Sequence, residues 1–213
     1  MIYFYSGTPG SGKSLHLAQQ IYTQLKEEKK HIIANIPINI EYIRKHPFSK
    51  NKKLITGRFY YLQNKYFSPQ FFYDYAKKFH KKGIEGQTII VIDEAQMLFS
   101  PSVVKLQCRY DPNFRVDWLD FFTQHRHLGF DIIIVSQFDR LIDPQIRVLF
   151  EYNYIHRKAN NLSGIYPSLI KLLGLKLFVY VKYWYGTNEK LGVSFYRYSK
   201  KYSKIYDSYN RFN

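Results

Sequence analysis

The stretch Gly7-Thr8-Pro9-Gly10-Ser11-Gly12-Lys13-Ser14 decides the fold of this chain. Its pattern, a glycine followed after four residues by Gly-Lys-Ser, is typical of a loop that wraps the phosphates of a nucleotide. Glycines let successive backbone N–H groups turn inward around phosphate oxygens. The pattern predicts a nucleotide site, for ATP in preference to GTP, formed by Gly7, Thr8, Pro9, Gly10, Ser11, Gly12, Lys13, Ser14 and Leu15.

The flanking residues supply the context that this loop requires. Ile2–Tyr5 is apolar and predicts a buried strand, and Lys13–Lys29 has the apolar spacing of a helix. The N-terminus of that helix points its dipole at the bound phosphates. Lys13 is therefore predicted to contact the β- and γ-phosphates, and Ser14 to bind Mg²⁺. The alternative is a glycine-rich turn followed by a solvated lysine.

A second motif ends a predicted central strand. Ile89–Ile92 is buried in character and is followed at once by Asp93 and Glu94. Open α/β sheets bind ligands at the carboxyl ends of their strands, so Asp93 is expected to hold Mg²⁺ through water. Glu94 is expected to orient and deprotonate the attacking water, which favours hydrolysis over a kinase. The alternative is a strand capped by two solvated acids.

A third strand, Ile132–Val135, also ends in polar residues, Ser136 and Gln137. If it lies between the strand of Asp93 and the phosphate loop, it aims Ser136 or Gln137 at the γ-phosphate. The alternative is a plain strand end before a turn. Lys13, Glu94 and Gln137 are thus candidate catalytic residues.

The segment His125-Arg126-His127 ends the helix before that strand. Histidines two apart on a helix diverge, so this is not a zinc pattern. Arg126 is a fourth catalytic candidate, contacting nucleotide in its own subunit or in a neighbouring one; the alternative is a basic helix C-terminus that interacts with the dipole. Rival arginines for the same role are Arg109, Arg140 and Arg147.

Strands alternate with helices through residue 150, which predicts an α/β fold with a mainly parallel sheet between helices. It would be a P-loop NTPase of the additional-strand, catalytic-glutamate type. Residues 95–112 read as a long connection. Three later runs suggest antiparallel strands: Tyr152–Arg157, Lys176–Tyr185 and Val193–Tyr198. The expected organisation is an ATPase domain at 1–157, a basic, aromatic, β-rich appendage at 158–199, and a flexible tail at 200–213.

The composition points to a polyanion as partner. The chain has 32 Lys and Arg against 16 Asp and Glu, a net charge of +16, with 21 Tyr and 17 Phe. Tyr166–Asn213 interleaves aromatic and basic residues, which suits single-stranded DNA or an anionic membrane surface. An AT-rich genome would produce the same bias. Lysines interrupt the apolar stretch Leu169–Tyr185, so an interfacial segment is expected and not a membrane span. The single Cys108 fits a reducing compartment.

Taken in order, the phosphate loop, Val91-Ile92-Asp93-Glu94-Ala95-Gln96, and His125-Arg126-His127 leading to Ser136-Gln137 resemble the zonula occludens toxin (Zot) family. That family is similar to the assembly ATPases of filamentous phages and looks like a member of the hexameric DNA-pump group. The resemblance covers roughly residues 1–157.

The resemblance implies an ATP- and Mg²⁺-dependent motor that forms a homo-oligomer, with a hexameric ring as the expected form, at the cytoplasmic face of the host membrane. It would extrude or assemble phage around single-stranded DNA, with coat or assembly proteins as partners. Lys13, Ser14, Asp93 and Glu94 match the family's nucleotide positions, and Arg126 matches its HRH arginine. Larger members continue into a membrane-spanning segment, so membrane insertion and toxicity are not carried over. The alternatives are a packaging ATPase for duplex DNA, a small-molecule kinase, and a nucleotide-binding module without turnover.

Overall fold

The computed structural model describes residues 1–26, 28, 30–45, 57–159 and 176–206. These residues form an eight-stranded sheet with helices packed on both faces. The strands are β1 Ile2–Ser6, β2 His31–Ala34, β3 Phe59–Tyr61, β4 Thr88–Ile92, β5 Phe130–Val135, β6 Tyr152–Lys158, β7 Leu177–Trp184 and β8 Glu189–Arg197. The helices are α1 Lys13–Lys26, α2 Ile40–Lys45, α3 Pro69–Phe79, α4 Gln96–Phe99, α5 Pro101–Tyr110, α6 Phe114–Gln124, α7 Pro144–Arg147 and α8 Lys200–Ser203, with 3-10 turns at Asn64–Tyr66 and Asp139–Leu141.

The strand order is β3-β2-β4-β5-β1-β6-β7-β8, and β1 to β6 run parallel. The predicted α/β fold with a mainly parallel sheet is confirmed. β5 lies between β4 and β1, as the sequence predicts for an additional strand. Because parallel strands end at the same edge, the polar residues after β1, β4 and β5 come together.

The central strands are buried on both faces, which explains their lack of alternation. All five residues of β4 are buried. In β1, Ile2 and Phe4 face an aromatic core under α3 and α6, whereas Tyr5 faces a second core under α1. Apolar residues on both sides of the strands therefore hold the strand ends in fixed positions.

The three predicted antiparallel strands are confirmed, and β6 has a second pairing that the sequence did not predict. β6 pairs in parallel with β1, from Tyr3 opposite Tyr152 to Ser6 opposite Ile155, and in antiparallel fashion with β7. β7 and β8 form the predicted antiparallel hairpin. Side chains alternate with the same period in both kinds of pairing, so the pattern cannot reveal direction.

Residues 95–112 are not the expected irregular connection. They form α4 and α5, and α5 places Val104 fully in the core. A Ser-Pro pair at 100–101 begins α5, just as the Ser-Pro pair at 68–69 begins α3. Proline at the first helical position was therefore a usable signal in both places.

The sheet continues across the expected boundary at residue 157, because β7 and β8 extend it. Residues 200–206 also differ from a flexible tail: α8 packs against α1, and Ile205 and Tyr206 are 1% and 6% exposed. Residues 160–175 and 207–213, including part of Leu169–Tyr185, lie outside the described residues. Within the described ranges, no helix combines the length and apolar character needed to cross a membrane.

Candidate nucleotide-binding and catalytic site

The phosphate loop joins β1 to α1, as predicted, and two of its glycines are required by its geometry. Gly7 and Gly12 have φ of +139° and +97°, a region that favours glycine. A Cβ on Gly7 would overlap the carbonyl oxygen of His156, and a Cβ on Gly12 would lie 2.5 Å from the Tyr196 hydroxyl. Neither position has room for a side chain, because the loop packs closely against residues of β6, β7 and β8.

Lys13 folds back over the loop that precedes it. Its Nζ donates hydrogen bonds to the carbonyl oxygens of Gly7, at 2.5 Å, and Thr8, at 3.2 Å. Burial lowers the pKa of Lys13 from its ordinary value, and the charges of Glu94 and Asp93 oppose that shift. The ammonium therefore lies over the loop, within the field of both predicted catalytic carboxylates.

Asp93 is held by hydrogen bonds on its main chain and on both carboxylate oxygens. Its N–H donates to Asn35 Oδ1 at 2.7 Å, and Asn35 Nδ2 donates to its carbonyl oxygen at 2.8 Å. The backbone N–H of Glu94 donates to Oδ1 at 2.9 Å, and the Tyr206 hydroxyl donates to Oδ2 at 2.7 Å. With 5% of its surface exposed, Asp93 has a defined orientation at the cleft.

Glu94 adopts φ of +49°, a conformation that is uncommon for residues other than glycine. Gln96 Nε2 donates to its carboxylate Oε2 at 2.5 Å, and the Ser136 hydroxyl donates to Gln96 Oε1 at 2.8 Å. The end of β5 therefore orients Glu94 through Gln96. Ser136 is 1% exposed and makes this internal contact, instead of the direct approach to phosphate that its position suggested.

Lys13, Asp93 and Glu94 line one cleft of about 470 Å³ at the carboxyl edge of the sheet. Among the predicted site residues it contains 9–15, Asp93, Glu94 and Gln137. Gln137 also accepts a hydrogen bond from the Gly7 N–H at 3.0 Å through its carbonyl oxygen, which ties β5 to the loop. Gly7 and Thr8 line an adjoining cavity of about 610 Å³, together with Gln137.

The predicted Mg²⁺ ligands face this same cleft. Ser14 offers a hydroxyl from the first turn of α1, and Asp93 offers a carboxylate from the end of β4. Mg²⁺ is commonly held by one or two protein side chains together with phosphates and waters. The donor set fits that chemistry, and no cluster of three or more His, Cys, Asp or Glu suited to a metal occurs among the described residues.

Arg126 lies at the other edge of the sheet. It pairs with the carboxylate of Glu151, which also accepts the Ile2 N–H at 3.0 Å. Ile2 begins β1, whereas the phosphate loop follows its end, so Arg126 does not reach the nucleotide cleft of its own chain. The interpretation of Arg126 as a contact in its own subunit is therefore wrong, and a role towards a neighbouring subunit stays a prediction.

His125 and Arg126 also build the turn from α6 into β5. The carbonyl oxygens of Arg126 and His125 accept the N–H groups of Gly129 and Phe130, both at 2.8 Å. Burial is the main cause that lowers the pKa of His125 to about 4. His125 is therefore a neutral, structural residue at physiological pH.

Aromatic residues of the β7–β8 hairpin pack against the phosphate loop and the start of α1. His16 on α1 stacks between Tyr5 and Tyr180, with ring centroids 4.9 and 4.4 Å away. His16 Nδ1 lies 2.8 Å from His156 Nε2, and burial lowers the pKa of both imidazoles, that of His156 to about 4. The hydroxyl of Tyr196 donates to the Gly12 carbonyl oxygen at 2.9 Å. Two tyrosines of the hairpin, Tyr180 and Tyr196, therefore pack around the nucleotide site, although the sequence led us to expect this region to bind DNA or membrane.

Sequence reasoning missed three residues that hold the site. Asn35 follows β2, so the strand-end argument applied to Gln137 would have found it. Gln96 lies two residues beyond Glu94 but carries no recognisable signal of its own. Tyr206 belongs to the expected tail, and no local pattern connects it with Asp93.

The family of the chain follows from comparison with known proteins. The zonular occludens toxin (Zot) family matches residues 1–211. The chain belongs to the Zot family. No curated protein is significantly similar by sequence.

Solved structures share the fold of this Zot-family chain. The N-terminal domain of zonular occludens toxin from Neisseria meningitidis is 20% identical, with a TM-score of 0.53 over 97% of this chain and 98% of that one. B204, the DNA-packaging ATPase of Sulfolobus turreted icosahedral virus, is 18% identical, with a TM-score of 0.52 over 92% of this chain and 96% of that one. The family match and the shared fold therefore agree with each other.

Proposed function

We propose that this Zot-family chain is an ATP-hydrolysing motor that acts in the assembly or extrusion of a filamentous phage at the inner face of the host membrane. The observation that carries the proposal is the convergence of Lys13, Asp93 and Glu94 on one cleft beside the inserted strand β5. The family resemblance supports the biological setting. The net charge of +16 supports a polyanionic track or platform.

The chemistry assigns one role to each group. Loop N–H groups and Lys13 bind the β- and γ-phosphates, and Ser14 and Asp93 are the residues that would hold Mg²⁺, which when bound neutralises developing phosphate charge. Glu94, oriented by Gln96, accepts a proton from the attacking water. Gln137 lines the same cleft at the end of β5, where its side chain would approach the γ-phosphate.

The β7–β8 hairpin is the part that would contact the polyanion. Val193 and Phe195 are 42% and 62% exposed on the edge strand β8, and Trp184 is 43% exposed at the end of β7. Lys182 and Lys190 belong to the same hairpin. Aromatic and apolar side chains beside lysines suit an anionic membrane interface, and they also suit the bases of single-stranded DNA.

A ring would complete the site. Arg126 lies on the edge of the sheet away from its own cleft, so it can reach a nucleotide only in another subunit. Arg140 follows β5 within a 3-10 turn and is exposed, and Arg109 and Arg147 remain rivals for the same role. We therefore expect turnover to rise with protein concentration as subunits assemble.

The test is ATP turnover by the purified protein, alone and with single-stranded DNA, duplex DNA or anionic liposomes. Glu94→Gln should abolish turnover and keep ATP bound, and Lys13→Ala should abolish binding. Glu85→Gln, an exposed glutamate before β4, is the matched control and should behave as the unsubstituted protein. Normal turnover by Glu94→Gln would refute the assignment of the base.

A second candidate is packaging of duplex DNA, because a structure with this fold is a DNA-packaging ATPase. Stimulation by duplex DNA alone would favour it, whereas stimulation by single-stranded DNA or liposomes would favour the first proposal. ATP binding without turnover under every condition would indicate a nucleotide-dependent interaction module.

A further inference from the structure

The C-terminal segment 198–206 forms one side of the nucleotide cleft. It leaves β8, passes through α8, and contributes Tyr198, Tyr202, Ser203 and Tyr206 to the lining that the phosphate loop and Asp93 share. No local sequence pattern places this segment near the catalytic residues. Its position allows it to contact the residues of the nucleotide site.

The segment is anchored firmly enough to fix a side chain. Ile205 is 1% exposed in the core beneath α1, and its carbonyl oxygen accepts the N–H of Asn39 at 2.8 Å. The ring of Tyr202 packs edge-on against Tyr22 of α1, with centroids 5.7 Å apart. Tyr206, the next residue after Ile205, is 6% exposed and thus has a defined location.

The hydroxyl of Tyr206 donates to Asp93 Oδ2 at 2.7 Å, while the Glu94 N–H donates to Oδ1 at 2.9 Å. The carboxylate is thus oriented from both sides. These two bonds restrict the rotamer of the Asp93 side chain, which lines the cleft beside the phosphate loop.

We propose that Tyr206 is a positioning residue for Asp93, and that the C-terminal segment thereby sets the affinity of the nucleotide site for Mg²⁺. This rests on the proposed role of Asp93 towards Mg²⁺. Groups that hydrogen-bond a metal-binding carboxylate orient it, and their loss costs about 10–100-fold in metal affinity or activity. The competing explanation is that the hydroxyl only secures the segment 198–206 against the sheet.

The experiment uses Tyr206→Phe in the full chain, which removes the hydroxyl and keeps the ring. Its matched control is Tyr73→Phe, because the Tyr73 hydroxyl donates to Asp120 Oδ2 at 2.9 Å in an exposed site on α3, away from the cleft. The readout is binding of a fluorescent, non-hydrolysable ATP analogue at increasing Mg²⁺ and in EDTA. Urea unfolding of each variant verifies the fold.

Tyr206→Phe should raise the Mg²⁺ concentration for half-maximal binding about tenfold or more. Its affinity in EDTA should match that of the unsubstituted protein, and Tyr73→Phe should change neither value. An unchanged Mg²⁺ requirement would overturn the proposal. A lowered requirement would overturn it as well, because the hydroxyl would then compete with the metal, and so would a Tyr206→Phe chain that fails to fold.

Asp93→Asn separates this proposal from the one on which it rests. If Asp93→Asn abolishes the Mg²⁺ dependence and Tyr206→Phe leaves it intact, only the positioning role of Tyr206 fails. If Asp93→Asn itself leaves the dependence intact, the role of Asp93 in the proposed function fails, and the inference about Tyr206 fails with it.

Discussion

Asn35 should be essential for keeping Asp93 in place, and Asn35→Ala tests this. The side chain makes reciprocal bonds of 2.7 and 2.8 Å with the backbone N–H and carbonyl of Asp93, and Nδ2 also donates to Asn64 Oδ1 at 2.8 Å. Asn35 is only 9% exposed, so water cannot readily replace it. Substitution by alanine therefore removes the side-chain hydrogen bonds to two buried backbone groups, the N–H and the carbonyl oxygen of Asp93.

A buried polar group left without a partner costs about 1–3 kcal/mol, so the two groups together predict a loss of about 2–6 kcal/mol in the free energy of unfolding. The assay is urea unfolding at pH 7, followed by circular dichroism, with binding of Mg²⁺ and an ATP analogue measured on the folded protein. Because Asp93 can then shift, we also expect weaker Mg²⁺-dependent binding.

Asn39→Ala is the matched control, since Asn39 Oδ1 accepts the exposed N–H of Tyr42, at 2.8 Å, at the start of α2. Losing such a cap costs about 1 kcal/mol. If Asn35→Ala were as stable as Asn39→Ala, the reasoning about the buried clamp would be refuted. Lost stability with unchanged Mg²⁺ dependence would limit Asn35 to a role in the fold.

Three further predictions concern the loop, its pH dependence and the subunit contact. Gly12→Ala should weaken ATP binding about tenfold to a hundredfold in a fluorescence titration, because φ of +97° strains any side chain there and the Cβ would lie 2.5 Å from the Tyr196 hydroxyl; near-normal affinity would contradict the geometry. Burial depresses the pKa of His156 in the folded protein to about 4, below its unfolded value of 6.5. As the pH falls from 6.5 towards 4, the unfolded chain therefore binds a proton that the folded chain does not, and the free energy of unfolding decreases. Urea unfolding at pH 7 and 5 should therefore differ by about 2 kcal/mol from this group, and His156→Gln should reduce the difference. Arg126→Ala and Glu151→Gln break the same ion pair; only Arg126→Ala should abolish turnover of the assembled protein, and equal losses would make Arg126 structural.

The sequence predicted the parts of the site that depend on local structure. The glycine spacing of the loop, the buried strand before Asp93 and Glu94, and the polar residues after β5 are each contained within a few consecutive residues. The structure gathers Lys13, Ser14, Asp93, Glu94 and Gln137 at one cleft, because parallel strands end at a common edge.

Local patterns were insufficient where two solutions share the same pattern. Strand alternation does not distinguish parallel from antiparallel pairing, so it could not show that β6, besides its antiparallel pairing with β7, also pairs in parallel with β1. Similarly, the interleaved tyrosines of the hairpin suggested an external ligand, although Tyr180 and Tyr196 pack against α1 and the loop.

By itself, then, the sequence determined the phosphate loop, the two strand-end motifs and the α/β class, because backbone conformation and hydrophobic period are properties of short segments. Only the tertiary structure decided which edge of the sheet Arg126 occupies and which groups hold the catalytic carboxylates. Tyr206 lies 113 residues from Asp93 in the chain, yet donates to it at 2.7 Å. Such a contact depends on the packing of α8 and Ile205 beneath α1, and no short stretch of sequence contains that information.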